Sequence, residues 1–441
     1  MCTKTRTEEL GLWGVTGDLA KQKLIPALFN LHRTGKISRK SSFIGFGRKK
    51  FTKVDFQNFV EDVVMKYKVA SKQNDISASA IRDYVSQWTY IESELDDISG
   101  YKRLNSVLNN ETVIYLSIPP AYQYGVIQIL TSSGVLSKSN QRKIAIEKPF
   151  GFDFDSSERL EKLLNRKLKK DQILRVDHYA GKQSLVELEQ VAQQGIFRDM
   201  LNVKNFRKIE VNFVESKDVS MRGSFYDGVG ALHDIGQNHM LHMLATILAI
   251  PELRVDHKIV DSKKNTKNGG LVLNNLSVLR AESLSLVSIK SGNSSPILAQ
   301  YEGFVTTPGV KSDSGTETFF KAHIEIKKGK HQLSKRWGGL QVELAGGKAL
   351  AESDSSIILY PSNKKADPIK LLVNGYGTKD AYEQIFLDAF YYDANRFVSF
   401  DQIQKGWEIV KKIKIASKKK FGKHILIYKK GSYPQDISYK S

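Results

Sequence analysis

Over its first 175 residues the chain alternates short apolar runs with segments of helical period, a pattern that admits little besides a parallel sheet wrapped by helices. Leu10 to Gly14, Ser42 to Phe46, Val113 to Ile118 and Lys143 to Ile146 read as strands, with helices near 18–33, 54–68, 121–131 and 153–169. After about residue 205 the pattern changes to extended segments rich in Val, Ile, Tyr and Thr, with one strongly apolar helix from about 232 to 249. That change predicts a second, α+β domain built on a large, mainly antiparallel sheet. A chain of 441 residues exceeds what one hydrophobic core usually serves, so two domains are expected, 1–176 and 177–441.

The first strand ends in Gly11-Leu12-Trp13-Gly14-Val15-Thr16-Gly17-Asp18-Leu19-Ala20, directly before a helix. Glycines at such a turn let the backbone approach a pyrophosphate, and the helix N-terminus offers unpaired amides and the positive end of its dipole. Alone, a G-x-x-G pattern is a weak signal, equally at home in a tight turn without a ligand. At the first strand of an alternating unit it predicts an α/β Rossmann-like dinucleotide-binding domain, with Gly14, Thr16, Gly17, Asp18 and Leu19 at the coenzyme. The second strand ends in Gly45-Phe46-Gly47-Arg48-Lys49-Lys50. A cation there suits a 2′-phosphate, whereas an NAD site usually offers the ribose an acid, so Arg48 points to NADP; its plainer reading is an ordinary surface charge.

A formal net charge of +20 invites a nucleic-acid reading, because basic surfaces attract phosphate backbones through counterion release. Its distribution argues otherwise. Residues 401–441 hold 11 Lys against 3 acids, so the tail is far more basic than the body, and no zinc-finger, RNA-binding or basic coiled-coil pattern accompanies it. A solvated, lysine-rich surface is expected, with weak attraction of polyanions as the alternative and nucleic acid not expected as a partner. No apolar stretch approaches the roughly 18 residues that span a bilayer. Met1-Cys2-Thr3-Lys4 has no apolar signal segment behind it, which points to the cytoplasm. The lone Cys2 offers neither an internal disulfide nor a cysteine metal site. The polar stretch from Lys263 to Gly270 lacks a strand-to-helix context and reads as a turn.

Chemistry concentrates in two short segments. Asp177-His178-Tyr179-Ala180-Gly181-Lys182 is followed, 57 residues after Lys182, by His239 of Gln237-Asn238-His239. A neutral imidazole is the usual base near pH 7 and a carboxylate can orient it, so these segments have the parts to hold a phosphorylated polyol and take a proton from it. Each residue has a plainer reading: His239 at the edge of an apolar core, Asp177 and Lys182 as a surface ion pair. His242, one turn on, is the other candidate base. With no His/Cys cluster in sight, no metal is expected.

Taken in order, the motifs resemble one family. Gly14-x-x-Gly17-Asp18-Leu19-Ala20-Lys21, Tyr115-Leu116-Ser117-Ile118-Pro119-Pro120, Glu147-Lys148-Pro149-Phe150-Gly151 and Arg175-x-Asp177-His178-Tyr179 are similar to signatures of glucose-6-phosphate dehydrogenases. So are Asp234-x-x-Gln237-Asn238-His239, Thr316-Glu317-Thr318-Phe319, Arg336-Trp337, Gly347-Lys348, Ala381-Tyr382-Glu383, Trp407 and Tyr428-x-x-Gly431-Ser432. The resemblance implies NADP-dependent oxidation of glucose 6-phosphate at C1 to 6-phosphogluconolactone, the entry to the oxidative pentose phosphate pathway, by a homodimer formed through the large sheet. It implies His239 as general base and Asp177 as its carboxylate partner, with His178, Tyr179 and Lys182 clamping the phosphate. Glu215 and Asp234 resemble acceptors of hydrogen bonds from sugar hydroxyls, and Lys348 a lysine near the substrate. Lys148 with Pro149 resembles the hinge segment between nicotinamide and sugar, where an X-Pro bond allows a cis isomer.

Departures from the pattern gather on the substrate side. His233 stands where the family usually has Arg, Gln183 where Glu follows the lysine, and Ala180 where leucine is usual. Ser216-Lys217-Asp218 replace a Gly-containing turn, Ala345-Gly346 replace Arg-Thr, Ser353 takes an often basic position, and Leu359 to Ala381 is shorter. Two alternatives therefore accompany the leading reading. One is a related dehydrogenase with a changed aldose phosphate or NAD preference; the other is a non-catalytic descendant that binds nucleotide or polyanion, against which the intact Asp177 and His239 argue.

Overall fold

The computed structural model describes residues 8–73, 75–151, 154–192, 195–252, 276–373, 380–391, 396–422 and 424–437. Cys2 and the turn expected at 263–270 lie outside them. The described residues form two compact units, one within Met1–Gly181 and Lys379–Val398, the other within Lys182–Val255, Leu273–Thr378 and Ser399–Ser441.

In the first unit, β1 (Glu9–Trp13), β2 (Ser42–Gly47), β3 (Trp88–Glu92), β4 (Val113–Leu116), β5 (Lys143–Glu147) and β6 (Ile173–Val176) form one sheet. Its order is β3-β2-β1-β4-β5-β6 and every pairing is parallel. The central strand β1 is buried along its whole length. Leu10 and Leu12 enter a core shared with the helices Ile25–Arg33 and Lys53–Ser71, while Trp13, facing the other way, stacks on Phe46 at 4.7 Å. Covering both faces is what makes the strands of such a sheet read as continuous apolar runs.

Two strands lie beyond the four expected. In β6 the apolar run is broken by Arg175, whose guanidinium is buried against Glu161 at 2.5 Å. In β3 the half-exposed edge position mixes Thr, Tyr and Glu with apolar residues. Two strand ends also fall short of expectation, since the chain leaves β1 at Gly14 and β4 at Ser117. The long helix Lys53–Ser71 begins at a capping box, in which Thr52 Oγ1 accepts from Asp55 N at 3.1 Å and Asp55 Oδ2 accepts from Thr52 N.

The second unit holds β7 (Phe206–Val214), β8 (Val287–Ile289), β9 (Ile297–Tyr301), β10 (Phe319–Ile326), β11 (Gln341–Gly347), β12 (Asp354–Pro361), β13 (Ile369–Leu372) and β14 (Leu426–Tyr428). They are ordered β13-β12-β7-β11-β10-β9-β14, with β8 also on β10. Most pairings are antiparallel; β7 with β11 and β9 with β14 are parallel. The apolar helix expected at 232–249 is two segments, a π-helix Leu232–Met240 running into an α-helix Leu241–Ala249. All of Leu241–Ala249 is buried, each large aliphatic side chain contributing about 1.5–3 kcal/mol. Arg280 is carried into this core by a 2.6 Å pair with Glu189 and a 3.0 Å bond to Thr246 Oγ1, which satisfy a charge that would otherwise be costly to bury. Among the described residues, no helix is long and apolar enough to cross a membrane.

Candidate active site

The glycine turn of the first unit is built for close approach. Gly14 sits at φ +72°, and a Cβ there would lie 2.2 Å from Ser117 O, so no other residue fits without moving the β4 loop. Gly14 N donates to Phe46 O at 3.1 Å, which ties the turn to the end of β2, and Gly17 N donates back to Gly14 O at 2.8 Å. Val15 is buried, Thr16 and Gly17 are half-buried, and Asp18 is exposed and paired with Lys21 at 2.9 Å. Helical backbone starts here and passes through a π turn, Ala20–Leu24, before Ile25–Arg33. Arg48 follows β2 as an exposed cation without an ion pair among the described residues. The loop after it is held by Tyr90, whose hydroxyl lies 2.7 Å from Gly47 O and 2.6 Å from Lys49 O and donates to one or the other.

The ends of β5 and β6 carry the other predicted residues of this unit. Asp177 is 3% exposed, and its Oδ1 accepts from Tyr179 N at 3.0 Å. His178, Tyr179 and Gly181 lie in a short 3-10 turn against the helix Ala381–Tyr391, with His178 stacked on Tyr382 at 6.1 Å. A Cβ on Gly181 would meet Ala381 O at 2.2 Å, so that contact requires glycine. The Lys148-Pro149 peptide bond is cis. Behind Lys148 lies Glu147, buried, accepting a hydrogen bond from the Tyr115 hydroxyl and reached also by that of Tyr382. Burial lifts its carboxyl to about 7, opposed by the two hydroxyls and Lys148 and reinforced by Asp177. Glu147, Tyr115 and Tyr382 all stand in the sequence motifs, but no one of them signals a shared buried cluster.

In the second unit, the π-helix presents Asp234 and His239. In an α-helix residues five apart diverge by about 140°. The i→i+5 bonding seen here, with Leu241 N donating to Gly236 O, turns them toward one side. His239 is 3% exposed, and its ring stacks on Phe213 of β7 at 5.6 Å and 15°. Two glycines let the helix settle on the sheet: a Cβ on Gly236 would lie 2.8 Å from the Phe320 ring, and one on Gly346 would lie 2.8 Å from Met240 Sδ. Glu317 anchors the helix start, its carbonyl accepting from Ala231 N at 2.9 Å and its carboxylate from Leu232 N at 3.3 Å. His242, the other candidate base, is buried on the α-helical continuation with Nδ1 3.2 Å from Gln402 Nε2.

Beside this helix the ends of β7 and β11 bring Glu215 and Lys348 together. Val214 pairs with Gly347, so the next residues leave the sheet side by side; Lys348 Nζ pairs with Glu215 Oε2 and lies 3.9 Å from Asp234 Oδ2. Lys182, the remaining residue expected in the phosphate clamp, belongs to this unit, where its carbonyl starts the helix Gln183–Ala192 by accepting from Leu185 N and Val186 N.

Several departures from the sequence pattern have local explanations. Gly346 is the residue that fits beneath Met240. Ser353 Oγ accepts from Ser216 N at 3.0 Å, joining two altered positions, and Asp218 of the same turn pairs with Lys430 at 2.5 Å. His233 packs edge-on against Trp407 at 5.1 Å. Burial, with Lys414 nearby, lowers its ring to about 4 and keeps it neutral near pH 7.

Comparison with known proteins follows both units. Residues 12–186 match the family model for the glucose-6-phosphate dehydrogenase NAD-binding domain, and residues 192–372 match that for the C-terminal domain. The glucose-6-phosphate 1-dehydrogenase of Borreliella burgdorferi is 28% identical over 92% of this chain and 91% of its own length. That of Bacillus subtilis is 26% identical over 91% and 90%. A solved glucose-6-phosphate dehydrogenase in complex with its substrate glucose-6-phosphate shares the fold, with a TM-score of 0.79 and 21% identity over 100% of both chains.

Proposed function

We propose, for a chain that belongs to the glucose-6-phosphate dehydrogenase family across both of its domains, the NADP-dependent oxidation of glucose 6-phosphate at C1 to 6-phosphogluconolactone. The observation that carries this reading is a histidine, His239, buried on a π-helix beside the Glu215–Lys348–Asp234 cluster of the same unit. An imidazole sheltered from water, next to carboxylates and an ammonium that match sugar hydroxyls, suits removal of a hydroxyl proton from a polyol.

In this reading His239 takes the C1 hydroxyl proton as the C1–O double bond forms and the C1 hydrogen leaves with its electron pair. Asp177 holds the ring tautomer and offsets the charge of the imidazolium. His178, Tyr179 and Lys182 hold the phosphate dianion, a remote contact that fixes the position of C1. Glu215 and Asp234 accept hydrogen bonds from the sugar hydroxyls, and Lys348 balances their charge. The turn at Gly14 suits a dinucleotide, because it follows the central strand β1 and leads straight into helical backbone, where amides face a pyrophosphate. Gly14, Thr16, Gly17, Asp18 and Leu19 would hold the pyrophosphate end, Arg48 the 2′-phosphate, and Lys148 the hinge between coenzyme and sugar. When bound, NADP supplies the acceptor for the hydride.

The same reading makes the chain a cytoplasmic homodimer, joined through the large sheet, at the entry to the oxidative pentose phosphate pathway. Light scattering on the purified protein tests the dimer. The activity is tested by following the near-ultraviolet absorbance of reduced coenzyme with glucose 6-phosphate, other aldose phosphates and unphosphorylated glucose, each with NADP and with NAD. Fast reduction of NADP that requires glucose 6-phosphate supports the proposal. Preference for another sugar phosphate, or for NAD, would replace it with the altered-specificity reading, and silence with every pair would overturn it.

A further inference from the structure

Away from these residues, the second unit holds a groove of about 570 Å³ between β8 and the C-terminal half of the helix Phe400–Phe421. Its lining includes Lys327, Lys412, Lys419 and Lys420 and no acid. All four lysines are exposed, and none pairs with a carboxylate among the described residues. Lys412, Ile415 and Lys419 follow the i, i+3, i+7 spacing of one helix face, and Ile415 is an apolar side chain left 57% exposed.

The other wall is an open strand edge. β8 pairs with β10 on one side, and the flanking bonds Lys290 N to His323 O and Lys327 N to Leu286 O fix the alternation. The peptide groups of Val287 and Ile289 therefore point away from β10, and they make no backbone hydrogen bond among the described residues. Further along the same edge, β9 is covered by β14, whereas β8 has no such neighbour among the described residues.

We propose that this groove takes an acidic peptide in extended conformation, added to the edge of β8 as a further strand, with Lys327, Lys412, Lys419 and Lys420 meeting its carboxylates. Unused donors and acceptors on β8 favour a peptide backbone over other polyanions, because a nucleic acid gains nothing from a strand edge. Ile415 supplies an apolar contact for the alternate side chains of such a strand. The surface is separate from the residues assigned to the dehydrogenase reaction, so it stands or falls independently of that reading.

The test is fluorescence anisotropy of a labelled peptide alternating glutamate and valine, titrated with the full-length protein at physiological salt. Two comparison ligands are the same peptide N-methylated at alternate backbone amides and an oligothymidine of equal charge. Saturable binding is expected, weakened about tenfold or more by the triple variant Lys412→Glu, Lys419→Glu, Lys420→Glu and similarly by N-methylation. The triple variant should keep its thermal midpoint and its dehydrogenase rate. Absence of saturation up to millimolar protein would overturn the proposal and leave the lysines as guards of an open edge. Equal binding of the N-methylated peptide or of oligothymidine would also overturn it, in favour of general polyanion attraction.

Discussion

Lys348 and Glu215 stand one residue beyond the paired positions Gly347 and Val214, so the parallel neighbours β11 and β7 deliver an ammonium and a carboxylate to the same point. Asp234 reaches the same lysine from the π-helix. Replacing Lys348 with Met leaves two acids facing each other without a cation. The expected result is a rise in KM for glucose 6-phosphate on the order of ten- to hundredfold. Initial-rate kinetics check this, and the double variant Lys348→Met, Glu215→Gln should recover part of the loss because the two effects share one contact. An unchanged KM in the single variant would remove Lys348 from the substrate.

His239→Asn deletes the proposed base while keeping a polar side chain of smaller size. Turnover should fall by about 10²–10⁴-fold, while the dissociation constant for glucose 6-phosphate, measured by calorimetry, changes little because the proposed phosphate clamp is untouched. Turnover near that of the parent would transfer the role elsewhere, with His242 as the next candidate.

Arg48→Ala should raise the KM for NADP by about tenfold or more and leave that for NAD nearly unchanged, because only NADP carries the 2′-phosphate. Coenzyme kinetics at saturating sugar phosphate separate the two. Equal losses for both coenzymes would show that Arg48 acts on the loop and not on the phosphate.

Glu147 gives stability a pH dependence of defined sign. Burial raises its carboxyl from 4.5 to about 7, so between these values the folded protein keeps a proton that the unfolded chain has released. Stability is therefore greatest below the lower value, falls by about 3 kcal/mol as pH rises through the interval, and is level above it. Glu147→Gln cannot ionise and should lack this fall. Thermal midpoints of the two proteins, measured from about pH 5 to pH 8, should move in favour of the variant as pH rises; parallel curves would refute the assignment.

Gly14→Ala places a methyl group against Ser117 O at a positive φ. The expected cost is about 1–3 kcal/mol of stability, together with weakened coenzyme affinity. Calorimetric melting and coenzyme titration report the two effects separately.

The alternation of apolar runs and helices made the parallel sheet legible, because strands covered on both faces leave uninterrupted apolar segments. β6 escaped because Arg175 interrupts its run, and the sequence alone does not reveal that Glu161 accompanies that charge into the interior. Motif order supplied the candidate residues, but not the connections made by folding. Nothing in the spacing of Ser216 and Ser353 says that two unusual positions bond to each other, or that Gly346 is small because Met240 lies over it. The π-helix was read as part of one ordinary helix, since its apolar pattern merges with that of Leu241–Ala249.

That π-helix has a consequence for what changes the gene can accept. Asp234 and His239 share a side only because the segment between Leu232 and Met240 holds more residues per turn than an α-helix would. Deleting one residue between Asp234 and His239 would let the backbone relax to α-helical bonding and would leave the two four positions apart, about 40° from one another and still on one side. A single codon lost in frame is therefore compatible with the facing of these two side chains, whereas relaxation of the full-length segment to α-helical bonding would swing them about 140° apart while leaving every residue of the motif present.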